Sequence, residues 1–197
     1  WLDVLRDAEM VQAQSGSRFG AETEFRFQNA LLRDAAYGML ADLDRQLAHR
    51  AAGLYLERQG ERNAAVLAEH AHKGQEPERA AAFYVKAAQY AYDNGNLDGA
   101  IKLAEQAIGC GAKDEVFGDA RRIQAWSHLW QGQFPRAAEL ADAALAHIPF
   151  GTLLWIKTIA IPIFTATMSG QRERAIQFIR DVCPRFHRGV VRGFREC

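Results

Sequence analysis

The sequence is poor in the features that produce disulfide frameworks, metal knuckles and membrane spans. Its 3 cysteines, none of them in a Cys-x-x-Cys spacing, are Cys110, Cys183 and Cys197. This argues against disulfides and a zinc knuckle, and it favours a reducing cytoplasm. The longest apolar stretch, residues 152–168, contains Lys157 and Pro162. We therefore expect a buried helix there, interrupted at Pro162, and no membrane span.

An excess of one charge is also missing, because 24 Lys and Arg residues balance 24 Asp and Glu residues. Non-specific nucleic-acid binding depends on a net positive charge, so it is not expected here. The residues from Gln171 onward are the exception, since they include seven arginines. We interpret this end as a solvated tail, and the alternative is a functional basic patch.

Catalytic motifs are absent as well. There is no phosphate-binding Gly-x-x-x-x-Gly-Lys-Ser/Thr loop and no kinase catalytic motif. His70 and His72 would point about 200° apart on a helix, so they form a poor metal site. Ser15 and Ser17 lie in a predicted turn without an adjacent His. Cys110 could be a reactive thiol, but a small residue at a helix junction explains it better. The sequence thus predicts no catalytic residue, no metal site and no cofactor.

The most informative pattern is an internal repeat marked by glycines. Gly60, Gly95, Gly132 and Gly170 follow one another at spacings of 35, 37 and 38 residues. Small residues recur at fixed offsets after two of them: Ala100, Ala104 and Ala107 after Gly95, and Ala137, Ala141 and Ala144 after Gly132. The copy at Gly60 is fainter.

Each glycine can end a helix in the left-handed conformation without a Cβ penalty. Alanines spaced by three or four residues line one stripe of the next helix, where they allow close packing against a neighbour. Each pair of helices then needs another pair to cover its remaining face. The pattern predicts antiparallel helical hairpins that stack on one another.

Residues 1–28 do not follow the repeat. They predict a short helix over 1–8 and then two strands, in "AEMVQAQ" and "TEFRFQ", joined by a segment rich in turn residues. Two amphipathic helices follow, "NALLRDAAYGML" and "DLDRQLAHRAAGLYLERQG". Because the sequence begins at Trp1 inside a predicted helix, we expect it to be part of a longer protein.

The repeats resemble tetratricopeptide repeats, over residues 81–114 and 118–151, and with less agreement over 156–189. In the last copy Arg172 replaces the usual apolar residue. The resemblance implies a mainly α-helical α-solenoid of antiparallel hairpins from residue 80 to 197. In that family the first helix of each hairpin lines the concave, partner-binding side. The equivalent positions in this chain are Val85, Gln89, Tyr92, Asp93, Arg122, Leu129, Trp126, Trp130, Ala160 and Phe164.

Trp126 and Trp130, at positions i and i+4, are expected to form an aromatic ridge, with Arg122 one turn earlier. Aromatic and arginine side chains are the types that dominate binding hot spots. The alternative is that the two tryptophans serve core or inter-repeat packing.

The string "FRFQNALLRDAAYGMLADLDRQLAHRAAGLYLE", residues 25–57, resembles the junction between winged-helix subdomain and helical repeats in bacterial signalling ATPases of the STAND class. The resemblance implies a winged-helix remnant with a β-hairpin over residues 1–41 and linking helices, or a degenerate repeat, over 42–79. It also implies an upstream nucleotide-binding domain in the same chain, with a serine/threonine kinase or nucleotide cyclase domain in some members. Asn29 stands where that family usually has a His close to the nucleotide phosphates. It is our nucleotide-sensing candidate, and the alternative is a helix cap.

These expectations give three functional hypotheses. The first is a non-catalytic, cytoplasmic interaction and regulatory segment of a bacterial signal-transduction ATPase or kinase, which binds a protein or peptide partner. The second is part of an ATP-dependent transcriptional regulator, motivated by the arginines from Arg180 to Arg195. The third is an enzyme in its own right, which generic His and Ser residues alone support. We also expect exposed apolar surface and self-association.

Overall fold

The computed structural model describes residues 1–16 and 22–180. They are mainly helical, with one small antiparallel sheet of two strands. The backbone contacts divide the chain into two compact units. Within the described residues, one comprises Trp1–Arg62 and Lys73–Gln75, and the other Asn63–His72 and the chain from Glu76 to Arg180. The domain limits expected at residues 41 and 79 stay predictions.

The first unit begins with the predicted short helix and β-hairpin. Its elements are α1 (Leu2–Asp7), β1 (Val11–Ala13), β2 (Phe25–Phe27), α2 (Ala30–Met39) and α3 (Asp42–Arg58). The two strands pair antiparallel, with Val11 opposite Phe27. This confirms the helix and the strand pair, whereas their assignment to a winged-helix subdomain stays a prediction.

Helix α2 is amphipathic, but it buries none of its residues. Leu31 is 77% exposed and Met39 is 87% exposed, although both belong to the apolar face of the helix. A hydrogen bond of 2.9 Å between the Tyr37 hydroxyl and His49 Nε2 links α2 to α3. The exposed apolar surface that we expected is therefore present in this unit.

The second unit is a succession of packed helices. They are α4 (Ala64–Lys73, whose last residue belongs to the first unit), α5 (Pro77–Asp93), α6 (Leu97–Gly109), α7 (Asp114–Trp130), α8 (Phe134–Leu145), α9 (Leu153–Met168) and α10 (residues 172–180). From α5 to α9 each helix packs against the next. In addition, α5 contacts α7 and α7 contacts α9. The odd-numbered helices α5, α7 and α9 thus form a layer of their own.

A glycine in the left-handed conformation ends α5 as the repeat pattern predicts. Gly95 has φ +75°, and it lies between α5 and the start of α6 at Leu97. The Gly95 N–H donates to Tyr92 O and the Asn96 N–H to Ala91 O, both at 2.9 Å, which is the Schellman arrangement. The same conformation and the same bonding pattern recur at Gly60, Gly132 and Gly170.

The alanines that follow Gly95 and Gly132 lie at the contacts between helices. Those of α6 are inaccessible to solvent and pack in one core cluster with side chains of α4, α5 and α7: Ala100, Ala104 and Ala107. Those of α8 are equally inaccessible: Ala137, Ala141 and Ala144. The predicted small-residue stripes are confirmed as the seams along which α6 and α8 pack.

The apolar stretch expected to be a buried helix forms α9, which runs without interruption through Pro162. The expected interruption is wrong. A proline inside a helix costs about 3 kcal/mol, but α9 buries apolar surface around it, including Ile161 at 0% exposure and Ala166 at 5%. In the described ranges no helix has the length and apolar character needed to cross a membrane.

The glycine at the end of α5 gives the first test of this architecture. An alanine at Gly95 would meet no atom within 4 Å, so Gly95→Ala isolates the cost of the left-handed conformation. We expect it to lower the free energy of unfolding by about 1–2 kcal/mol. Gly109→Ala is the control, because Gly109 lies within α6 and is also open to a Cβ. Urea unfolding should show Gly109→Ala to be neutral or stabilising. An equal loss of unfolding free energy in both variants would contradict the left-handed Schellman turn at Gly95.

Candidate interaction face

The predicted concave-side residues of α5 and α7 come together in the second unit. We call this surface the α5–α7 face, and its members are Gln89, Tyr92, Asp93, Asp119, Arg122, Trp126 and Trp130. Two of the predicted residues lie beneath it. Val85 is 7% exposed and Leu129 is 3% exposed, and both belong to core clusters, so they support the face from below.

A polar network crosses from α7 to α5. Arg122 Nε donates to Asp119 Oδ1 at 2.8 Å, and Arg122 Nη2 donates to Gln89 Oε1 at 2.5 Å. Gln89 Nε2 in turn donates to Asp93 Oδ1 at 2.7 Å. The network therefore joins two helices through one guanidinium, one amide and two carboxylates.

The Arg122 side chain is only 7% exposed, so it organises the face from inside. Its charge is compensated by Asp119, whose Oδ1 lies 2.6 Å from Nη2 and whose side chain is 26% exposed. A buried guanidinium requires such a partner because the desolvation cost is large. Sequence reasoning selected Arg122 as a contact for a partner, and it overlooked Asp119, although the i, i+3 spacing on α7 was visible.

The aromatic ridge is present as a fixed assembly. Trp126 and Trp130 stack with their ring centroids 6.5 Å apart and their planes at 26°. Trp126 Nε1 donates to Lys157 O of α9 at 3.2 Å, and Trp130 Nε1 donates to the Tyr92 hydroxyl of α5 at 2.8 Å. Each indole N–H is therefore bonded to a neighbouring helix, and the ring orientations are set.

The two tryptophans differ in how much of their aromatic surface is exposed to a partner. Trp126 is partly buried against the core between α7, α8 and α9, so the packing alternative describes much of its role. Trp130 is 62% exposed although its N–H is satisfied. On α9, Phe164 is 41% exposed and Ala160 is partly buried, so an apolar surface is available on that helix as well. Trp130 is the residue with the most open aromatic surface on the face.

Asn29 lies at the start of α2 in the first unit, with an extended backbone. Its side-chain oxygen accepts the Leu31 N–H at 2.7 Å, which is the bond of a helix N-cap. The capping alternative thus accounts for the position. Nucleotide sensing by Asn29 stays a prediction. The capping bond occupies the side-chain oxygen of Asn29, and its side-chain amide N–H groups take no part in that bond.

Cys110, His72 and Tyr84 form a cluster that the sequence did not predict. Cys110 Sγ lies 3.3 Å and the Tyr84 hydroxyl 3.5 Å from His72 Nδ1. Burial raises the pKa of the Cys110 thiol. Burial, with further contributions from Cys110 and Glu69, raises the pKa of Tyr84. A raised thiol pKa leaves less thiolate at neutral pH, so Cys110 is a weak nucleophile, which agrees with its interpretation as a junction residue.

A pocket of about 240 Å³ lies between α8, α9 and α10. Phe134, Pro162 and Phe178 contribute apolar walls, and Asp142 and Arg174 contribute charge. Burial raises the pKa of Asp142, although nearby Arg174 acts in the opposite direction. No pattern in the sequence indicates this pocket, because its walls come from three separate helices.

Within residues 1–16 and 22–180, no three His, Cys, Asp or Glu side chains are grouped so that they could hold a metal ion. The arginine-rich end from Arg180 to Arg195 lies outside the described residues except for Arg180 itself. Comparison of the chain with protein-family models gives no match, and comparison with curated proteins gives no match either.

The buried network can be tested by a double-mutant cycle. Asp119→Asn leaves the Arg122 guanidinium without its counter-charge, and we expect it to lower the free energy of unfolding by about 1–3 kcal/mol. Arg122→Met combined with Asp119→Asn should cost less than the sum of the single changes, by at least about 0.5 kcal/mol. Additive losses in urea unfolding would contradict the pairing of these two side chains.

Proposed function

We propose that the chain is a non-catalytic, cytoplasmic protein-interaction and regulatory segment of a larger bacterial signal-transduction ATPase or serine/threonine kinase. Its hairpins are of the tetratricopeptide type and form an α-solenoid, joined to the end of a winged-helix subdomain. The partner binds the α5–α7 face. The single observation that carries the proposal is the exposed Trp130, held by Tyr92 in a face that a buried network orders.

Two physical properties make this face suitable for binding. Its side chains are held by hydrogen bonds before a partner arrives, so less conformational entropy is lost on association than for free side chains. It also combines exposed aromatic surface with polar groups around it, which is the composition typical of binding hot spots. The uncovered apolar residues of α2 and α3, such as Leu31 and Leu43, support a second contact. We propose the upstream nucleotide-binding domain of the same chain as the partner there.

The test is a selection of peptides from a random library displayed on phage, with the 197-residue chain as the immobilised target. Enriched peptides are then synthesised, and their affinities are measured by fluorescence anisotropy. We expect Trp130→Ala to weaken binding at least tenfold, because it removes the exposed ring. Tyr90→Ala is the matched control, since Tyr90 is an aromatic residue of α5 at 72% exposure. It should change the affinity less than about twofold.

Circular dichroism of each variant shows whether its helices are retained. Peptides that bind Trp130→Ala as tightly as the parent chain, or a selection without any enriched peptide, would contradict binding at the α5–α7 face. Turnover of ATP by the chain itself would contradict its non-catalytic role.

A further inference from the structure

We propose that the α5–α7 face takes a basic segment of a partner protein, with an arginine or lysine side chain that stacks on Trp130 and pairs with Asp93. This inference rests on the proposed function and adds the chemical class of the partner. The juxtaposition that carries it is an exposed aromatic ring and an uncompensated carboxylate at the same end of α5.

The polar network leaves one negative charge without a counter-charge. Asp93 and Asp119 contribute two carboxylates, and Arg122 contributes one guanidinium, which is bonded to Asp119. Asp93 accepts the Gln89 amide, a neutral donor, and it is exposed to solvent. Among the described residues no Lys or Arg forms an ion pair with it. A cationic side chain of a partner can therefore reach Asp93 and neutralise its charge.

The backbone adds to the negative potential at this point. Asp93 is the last residue of α5, and the last turn of that helix contains no basic residue. The C-terminal end of a helix carries a partial negative charge, so a carboxylate there is unfavourable and a cation is favourable. Lys86 lies two turns back on the same helix, with its ammonium 5.3 Å from the centre of the Phe83 ring.

Trp130 provides the second half of the recognition. Its N–H is bonded to the Tyr92 hydroxyl, and Tyr92 directly precedes Asp93 in the chain, so the ring lies next to the end of α5 that carries the carboxylate. Tryptophan is the best aromatic partner for a cation positioned over its ring face. Arginine suits the site best because its flat guanidinium can stack and also donate to a carboxylate.

The same geometry disfavours an acidic partner. Arg122 is almost fully buried, and its Nε and Nη2 atoms already donate to Asp119 and Gln89, so most of its hydrogen-bonding capacity is used within the face. An acidic segment would instead meet the free charge of Asp93. The face therefore discriminates by charge, through attraction to one class of segment and repulsion of the other.

The experiment uses the peptides selected on the parent chain. Each enriched peptide is synthesised with arginine and with citrulline, which has the same shape but no charge. We expect enriched peptides to carry arginine or lysine beside apolar residues, and the citrulline forms to bind about three- to tenfold more weakly. Asp93→Asn should remove most of this difference, because the side chain keeps its oxygen for Gln89 and loses its charge.

Glu105→Gln is the matched control, since Glu105 is an exposed carboxylate of α6 outside the face. It should leave the preference for arginine unchanged. A preference for arginine that survives in Asp93→Asn would overturn the proposal, and so would one that is lost equally in Glu105→Gln. In either case the attraction between the chain and basic peptides would not depend specifically on Asp93. Enriched peptides that are neutral or acidic, yet depend on Trp130, would overturn the basic partner and leave the proposed function standing. Peptide binding that is independent of Trp130 would contradict both the basic partner and the proposed function.

One other occupant of the face, a second copy of the chain, is tested with the same samples. Sedimentation velocity of the parent chain and of Trp130→Ala shows whether a second copy covers the face. Dimers that dissociate in the variant would overturn the proposal in favour of self-association. Monomers in both chains, together with arginine-dependent peptide binding, would support it.

Discussion

The close approach of helix backbones along alanine seams is the constraint on which the second unit depends. At Ala100, Ala104 and Ala107 the side chain at the contact is a single methyl group, and none of the three is accessible to solvent. Larger side chains of neighbouring helices, such as Tyr84 and Ile123, fill the same cluster. Both helices that carry the α5–α7 face contribute buried side chains to this cluster, and Tyr92 packs against it. The seam therefore holds α5 and α7 in the positions from which the face is built.

The polar part of the face is ordered by the Arg122 guanidinium, whose burial has a large desolvation cost. Arg122 is held under the surface, and its guanidinium requires both Asp119 and Gln89 to be in place. Gln89 then orients Asp93, while Tyr92 from the same helix orients Trp130. Each half of the surface is thus held by a hydrogen bond between α5 and α7, and the result is a pre-formed site in which Asp93 carries a negative charge without a counter-charge.

The sequence predicted what depends on local pattern. The turn at Gly95 and the alanine stripes follow from residues within one or two turns of each other, and the strand pair and the apolar helix α9 each follow from one continuous segment of the sequence. The predicted interruption at Pro162 is wrong because the helix-breaking effect of the proline is outweighed by the burial of apolar side chains around Ile161. The contact between Gln89 and Arg122 joins residues 33 positions apart, and Asp119 gains its importance from the burial of Arg122. The contact is not visible before the helices are packed, and the i, i+3 spacing of Asp119 and Arg122 does not by itself show that Arg122 is buried. The relationships to tetratricopeptide repeats and to signalling ATPases stay predictions.

The most direct measurement is the free energy of unfolding of Ala104→Leu in urea, compared with Gln106→Leu. Ala104 lies in the seam at 0% exposure, whereas Gln106 is an exposed residue of the same helix. If the seam sets the packing, the larger side chain at Ala104 should lower the free energy of unfolding by about 1–3 kcal/mol. Gln106→Leu should stay within about 0.5 kcal/mol of the parent chain. An Ala104→Leu variant as stable as the parent would contradict the close approach of the helices and, with it, the origin of the face.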